Sequence, residues 1–306
     1  MLDVSITIIS WNTKELLRNC LNSIYDTVSD GLSYEVIVID NASADSSAEM
    51  VGEEFPQVGL VKNIENVGFA RANNQAVEIA KGEYILLLNS DAIILERALN
   101  KMISFMNEHL DVAVVGCRLL NEDRSPQPSF GYFPTLWTIS TQMFFLDRIF
   151  PKVKTLIVKN PSLYSSQEVD WVTGACFILR REALGDMQPF DPNYFMYLEE
   201  VDLCYRIKQK NFKIFYLSEA EIIHLGGASI GRRAKAIAYT YENLFYFFKK
   251  HYSSGKVRLL KFIIYLEVIF KVPLFGLLSI IPSFRELGQD RLRAYLGAGR
   301  IALKAR

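Results

Sequence analysis

The 306-residue sequence predicts an α/β fold: a mostly parallel sheet flanked by helices, with a helical amphipathic extension at its C-terminal end. Three observations predict it. Short β-branched apolar runs alternate with helical patterns over the first 120 residues. The runs are apolar without alternation, which marks strands covered on both faces. Two of them are followed by a carboxylate, Asp40 directly and Asp91 after Asn89-Ser90, at the strand end where open α/β sheets bind ligands.

Val4–Ile9 reads as the first strand and Lys14–Tyr25 as its helix, followed by the pairs Glu35–Ile39 with Ala44–Glu54, Gly59–Lys62 with Ala70–Ala80, and Tyr84–Leu88 with Glu96–His109. Val112–Cys117 closes this doubly wound half. Residues 121–168 lose the rhythm, with Pro126, Pro128, Pro134, Pro151 and Pro161 among aromatics and one short helix near Leu136–Phe145. Such a segment is either a lid beside a substrate or a surface excursion. From Val169 the pattern returns as a strand at Ala175–Arg180, a helix over Glu199–Lys210, strands at Lys213–Tyr216 and Glu221–His224, and a helix over Ala234–Lys250.

The last stretch is apolar but interrupted. Phe262–Phe270 contains Glu267 and runs into Lys271 and Pro273, and the uncharged run Val272–Phe284 holds 13 residues, against the roughly 20 that a spanning helix needs. A helical wheel puts Arg258, Lys261, Glu267 and Lys271 on one half and the Leu, Ile and Phe residues on the other. That pattern predicts a helix lying in a membrane interface, with a core-packed helix or a hairpin as alternatives.

Charge is divided to match. Lys+Arg and Asp+Glu are equal at 34 each, but residues 231–306 hold 15 basic and 4 acidic side chains, leaving 19 and 30 before them. The tail is therefore +11 and the body −11. With no nucleic-acid-binding signature in so apolar a tail, an anionic membrane surface is the expected partner and nucleic acid is not. Cys20, Cys117, Cys176 and Cys204 lack metal or C-x-x-C spacing and read as reduced core residues. The N-terminus enters a strand without a basic region or cleavage site, so a cytoplasmic protein is expected.

Four segments carry chemistry. Asp40, in Asp40-Asn41-Ala42-Ser43, can accept bonds from a base or ribose, or cap the helix that follows. Asp91, in Asn89-Ser90-Asp91, suits a hard divalent cation bridging two phosphates. Glu199 and Glu200 follow the aromatic run Phe195-Met196-Tyr197-Leu198, where desolvation raises a carboxyl toward the range of a general base. His224, before Leu225-Gly226-Gly227-Ala228-Ser229, is a candidate metal ligand.

Together with Ile6–Trp11 and Asn12, Asn66-Val67-Gly68-Phe69-Ala70-Arg71-Ala72-Asn73-Asn74 and Trp171-Val172-Thr173-Gly174-Ala175-Cys176, these segments occur in the order of the family 2 glycosyltransferases. The chain resembles their bacterial rhamnosyltransferase-like branch over roughly residues 1–250. The resemblance implies a GT-A fold at 1–250, with a nucleotide-binding half at 1–120 and an acceptor half at 121–250, followed by a tail at 251–306. It implies a nucleoside-diphosphate sugar donor, dTDP- or UDP-linked, and a saccharide or lipid-linked saccharide acceptor. It further implies a nucleotide site of Trp11, Asn12, Asp40, Asn66, Arg71 and Asn89, with Mg²⁺ or Mn²⁺ held by Asp91 and His224, and Glu200 or Glu199 as the base.

Two positions depart from the family pattern. Asp-x-Asp is here Asn89-Ser90-Asp91, leaving one anionic ligand, and the frequent Glu-Asp pair is Glu199-Glu200. A direct displacement by these groups would invert the anomeric carbon, and the basic apolar tail leads us to expect a peripheral enzyme on the inner face of the cytoplasmic membrane. A dinucleotide oxidoreductase is disfavoured because no G-x-G-x-x-G follows the first strand, where Ser10-Trp11-Asn12-Thr13 stands. A nucleotidyltransferase of similar fold lacks its glycine-rich phosphate loop. A non-enzymatic sugar-binding relative fits Asn89 but not the joint presence of Asp91, Glu200 and His224.

Overall fold

A computed structural model describes residues 2–28, 31–144, 146, 153–158, 165–226 and 233–304. The chain forms two compact units, one of Met1–Phe133 with Ile157–Ser229 and one of Pro134–Leu156 with Ile230–Arg306.

The first unit carries a ten-stranded sheet. Its strands are β1 (Leu2–Ser10), β2 (Tyr34–Asp40), β3 (Gly59–Lys62), β4 (Gly82–Asn89), β5 (Ala92–Ile94), β6 (Val112–Leu120), β7 (Pro126–Gln127), β9 (Gln167–Val169), β11 (Cys176–Arg180) and β12 (Lys213–His224). A separate pair joins β8 (Phe130–Gly131) to β10 (Trp171–Val172). The order is β3-β2-β1-β4-β11-β6-β12-β5, with β7 on β6 and β9 on β12. The first four strands are parallel, as is β12 with β6. β11 runs antiparallel between β4 and β6, so the sheet is mostly parallel but not doubly wound throughout.

Helix α1 (Lys14–Thr27) buries Leu17, Cys20, Leu21 and Ile24, and α4 (Ala98–Glu108) buries Leu99, Met102, Ile103 and Met106. Both sets follow the i, i+3, i+4, i+7 spacing of one helical face, and truncating any of these Leu or Ile side chains to Ala costs about 2–5 kcal/mol. Between these helices in the chain come α2 (Ser47–Glu54) and α3 (Phe69–Ile79). The four cysteines are buried and unpaired, as expected. The two strands expected at 213–216 and 221–224 are one strand, β12, with a register shift between Leu217 and Glu221.

The second unit is helical: α5 (Leu136–Met143), α8 (Arg233–His251), α9 (Ser254–Leu278) and α10 (Arg285–Lys304), with two helices of the first unit, α6 (Arg181–Leu184) and α7 (Glu199–Gln209), lying between them in the chain. The sequence divides the chain at 250/251, whereas the compact units meet at 229/230, because α8 packs with α9 and α10. The reason is a buried polar cluster. Lys271 Nζ donates to Glu267 at 2.6 Å and to Tyr295 at 3.2 Å, and Tyr241 donates to Glu267 at 2.6 Å. Glu267 and Lys271 are 2% and 7% exposed. The expected polar half of α9 is thus partly its inner face, because a paired and hydrogen-bonded charge can be buried. Among the described residues no helix is long and apolar enough to cross a membrane.

Candidate active site

The parallel strands bring three chain segments to one edge. In the register, Ser10 faces Asp40 across β1 and β2, and Ile9 faces Asn89 across β1 and β4. The loops beyond are tied together. Asn12 N–H donates to Ser43 Oγ at 2.9 Å, Asn12 Oδ1 accepts from Ala44 N–H at 2.7 Å, and Thr13 Oγ1 donates to Ser90 Oγ at 2.9 Å. Asp40 is buried, with Oδ2 accepting from Ser43 N–H at 3.0 Å and Oδ1 unpartnered. Asp40 therefore closes a local turn with one oxygen and leaves the other free for a ligand; it does not cap α2, whose N-cap is Ser46. Trp11 is exposed beside this edge.

Asp91 and His224 meet because β5 begins at the residue after Asp91 and pairs with the end of β12, putting His224 opposite Ala92. Leu225 N–H donates to Asp91 O at 3.0 Å, and Asp91 Oδ1 lies 3.4 Å from His224 Nε2. Gln127 sets the imidazole: its Oε1 faces Nδ1 at 3.0 Å and its Nε2 donates to His224 O at 2.5 Å. The amide oxygen faces Nδ1, which leaves Nε2 turned toward Asp91. An imidazole nitrogen and a carboxylate oxygen facing each other at 3.4 Å are donor types that suit a divalent cation. Asn89 Nδ2 is 3.4 Å from the same Nε2, too long to hold it firmly. Among the described residues no group of three or more His, Cys, Asp and Glu side chains could hold a metal ion. Residues 227–229 of the His224 segment lie outside the described residues.

Glu199 and Glu200 open α7 after two residues in the left-handed region, Tyr197 at φ 73° and Leu198 at φ 64°. Each such non-glycine residue costs on the order of 1–3 kcal/mol, strain of the kind held at functional sites. Glu199 is 4% exposed with Oε2 unpartnered, and burial with the neighbouring Glu200 charge holds its carboxyl well above the usual range. Burial lifts Glu200 to about 7, against hydrogen bonds from the backbone N–H groups of Glu200, Val201 and Gly174. Asp202 takes no part, being paired with Arg206 at 2.7 Å.

The acid pair and the Asp91–His224 pair are joined by the Trp171–Cys176 segment. Gly174 bonds Glu200, and the next residue, Ala175, accepts from Asn89 N–H at 2.9 Å. The Asn66–Asn74 segment braces the other side. Gly68, at φ 85°, lets Phe195 pack where a Cβ would stand 2.7 Å from its ring, and Phe69 N–H donates to Phe195 O at 2.9 Å. Asn66 Oδ1 accepts from Asn41 Nδ2 and Gly68 N–H, both at 2.9 Å, so it fixes this turn. Arg71, expected near the nucleotide, donates through Nε to Pro192 O at 3.3 Å, and Asn74 holds Phe190 through its N–H and carbonyl. In this structure both clamp the loop that leads to Glu199.

The family model for glycosyl transferase family 2 matches residues 5–187, more than half of the chain. The chain belongs to glycosyl transferase family 2. This glycosyltransferase is 26% identical over 233 residues to the N-acetylglucosaminyl-diphospho-decaprenol L-rhamnosyltransferase of Mycobacterium tuberculosis, covering 72% of this chain and 76% of that one. It is 27% identical over 233 residues to the rhamnosyltransferase WbbL of Escherichia coli, covering 72% and 83%. In fold it is similar to the mannosyltransferase PcManGT of Pyrobaculum calidifontis, solved with GDP-Man and Mn²⁺, at TM-score 0.60 and 14% identity over 99% of this chain and 89% of that one. GalNAc-T7, solved with UDP, GalNAc and Mn²⁺, matches at TM-score 0.57 and 14% identity over 78% and 48%. The fold is thus GT-A-like and the chain rhamnosyltransferase-like.

Three contributors to the glycosyltransferase site escape sequence reading. Gln127 lies in the proline-broken segment, where no periodicity marks it. Thr13 acts through a hydroxyl bonded to Ser90, and Gly174, though part of a segment that carries the resemblance, acts through a backbone N–H whose partner no sequence pattern names.

Proposed function

We propose that this family 2 glycosyltransferase transfers a sugar, rhamnose by likeness to its relatives, from a dTDP- or UDP-linked donor to a hydroxyl of a saccharide or lipid-linked saccharide, with inversion, in cell-surface polysaccharide synthesis. What supports the reading is the joining of two chemistries at one sheet edge: Asp91 with His224, and Glu200, linked through Asn89, Ala175 and Gly174. Asp40 Oδ1, buried and unpartnered, suits a base N–H or ribose hydroxyl, with Trp11 and Asn12 beside it.

Glu200 accepts the acceptor's hydroxyl proton as the oxygen attacks the anomeric carbon. The bond from that carbon to the diphosphate breaks, and its electron pair leaves with the diphosphate. Asp91 and His224 would hold Mg²⁺ or Mn²⁺, which when bound would supply neutralisation of the charge on the departing diphosphate. Glu200 rather than Glu199 is the base, because burial and the neighbouring charge hold the Glu199 carboxyl well above its usual range, whereas Glu200, lifted to about 7, ionises near neutrality. The protein works as a peripheral enzyme at the cytoplasmic membrane face.

A panel of nucleotide sugars with Mn²⁺ or Mg²⁺ and a diphospholipid-linked N-acetylglucosamine acceptor tests the reading. dTDP-rhamnose should be consumed in a metal-dependent way with an inverted linkage in the product. Consumption of another donor alone would replace the sugar, and turnover of a nucleoside triphosphate instead would overturn the reaction.

A further inference from the structure

Helix α9 is turned inside out for a helix of a water-soluble bundle. Its one carboxylate, Glu267, and its Lys271 face inward, locked to Tyr241 of α8 and Tyr295 of α10. On the other side Leu259, Phe262, Phe270 and Leu277 fall within about 80° of one another at 100° per residue, and all four are exposed, Phe270 by 66%. Ile280 and Phe284, in the turn beyond, carry the strip on, Ile280 being 70% exposed. Of the nineteen large apolar side chains exposed among the described residues, twelve lie between Leu259 and Leu303. Soluble proteins rarely leave so long an apolar strip uncovered.

We infer that this strip of α9 and the Ile280–Phe284 turn sinks into the interface of an anionic bilayer, and that the buried Glu267–Lys271 pair holds α9 in the rotation that presents it. The occupant follows from charge. With Glu267 inside, α9 carries no outward acid, while Lys256 and Arg258 stand exposed at its start and Arg285 is exposed beyond its end. Residues 231–306 as a whole are +11. Anionic headgroups complement that field, whereas the same strip of a second copy would bring like charges together. A helix of 25 residues with apolar side chains on one edge lies along a surface, and its Glu, Lys and Pro interruptions keep it from crossing. The inference deepens the lipid-linked acceptor of the proposed function, since such an acceptor is presented at this surface.

Flotation of the full chain with vesicles tests it without reading sugar transfer. The wild type should float with phosphatidylethanolamine–phosphatidylglycerol vesicles and at least tenfold less with phosphatidylcholine. Phe262→Ser with Phe270→Ser should cut binding to the anionic vesicles at least tenfold, and Lys256→Gln with Arg258→Gln should remove the salt-sensitive share. These side chains are exposed, so melting temperature and donor turnover with a water-soluble acceptor should hold. Phe270→Trp, which keeps a large aromatic ring at the position, should gain quenching by brominated lipid over the parent protein. Undiminished flotation of the Phe262/Phe270 double variant, or no added quenching at Trp-substituted position 270, overturns the inference. So does a dimer in light scattering that these substitutions dissociate while vesicle binding is absent. Loss of donor turnover with intact flotation would count against the proposed reaction and leave the surface standing.

Discussion

His224 Nε2 stands 3.4 Å from Asp91 Oδ1 because Gln127 holds the far side of the ring, Oε1 to Nδ1 at 3.0 Å. Orientation of a ligating imidazole by such a partner is worth about 10–100-fold in metal affinity. Gln127→Leu should therefore weaken Mn²⁺-dependent donor binding by about that factor while leaving metal-free binding alone. Titration calorimetry with and without Mn²⁺ reads the difference, and an unchanged metal-dependent affinity would remove Gln127 from the account.

Asp91→Asn removes the one acid of the Asn89–Asp91 triplet. The expected outcome is loss of transfer and of metal-dependent donor binding with an unchanged circular dichroism spectrum. A variant that still binds donor more tightly with Mn²⁺ than without it would place the cation elsewhere.

Gly68→Ala tests the brace behind the acid pair. The position has φ 85°, and an added Cβ would lie 2.7 Å from the Phe195 ring and 2.8 Å from its carbonyl oxygen. Strain and overpacking together should cost about 1–3 kcal/mol in urea unfolding and displace the chain leading to Glu199. Acceptor turnover should fall more than donor affinity. Equal stability in the two proteins would mean that the contact is relieved cheaply.

The ionisation of Glu200 gives a pH dependence. A base acts ionised, so kcat/KM should rise with pH toward about 7 and level above it, reflecting burial of this carboxyl. Stability runs the other way. A carboxyl raised from 4.5 to about 7 on folding holds its proton more tightly when folded, so its stabilising contribution is full below 4.5 and lost as pH rises through about 7. Glu200→Gln stays neutral and should be more stable than the wild type by about 1–3 kcal/mol above about pH 8, with little difference near about pH 4. An activity limb near pH 4.5 would mean that burial does not act on this group.

The strands and helices of the first 120 residues were legible because each writes a period: continuous apolar runs for β1, β2 and β4, and i, i+3, i+4, i+7 spacing for α1 and α4. Strand direction was not, since β11 carries the same apolar run as its parallel neighbours and only its pairing with β4 and β6 shows it reversed. Asp40, Asp91 and Glu200 could be singled out as candidates because they follow strands or an aromatic run. The bond from Arg71 to the carbonyl of Pro192 was not legible, because a helix pattern does not say which loop the helix faces. The wheel of α9 placed Glu267 and Lys271 with Arg258 on one water-facing half, whereas the structure buries the first two and exposes Arg258, because pairing of Glu267 with Lys271 and Tyr241 is a tertiary fact.

The central claim is that Glu200 takes the acceptor proton while Asp91 and His224 serve the donor. Parallel steady-state kinetics and Mn²⁺-dependent donor binding of Glu200→Gln and Glu199→Gln test it most directly. Glu200→Gln should keep donor affinity within about twofold and lose about 10²–10⁴-fold in kcat, the scale of general-base catalysis, while Glu199→Gln, already neutral in the fold, should lose about tenfold at most. A Glu200→Gln enzyme with near-normal kcat, beside a crippled Glu199→Gln, would contradict the account.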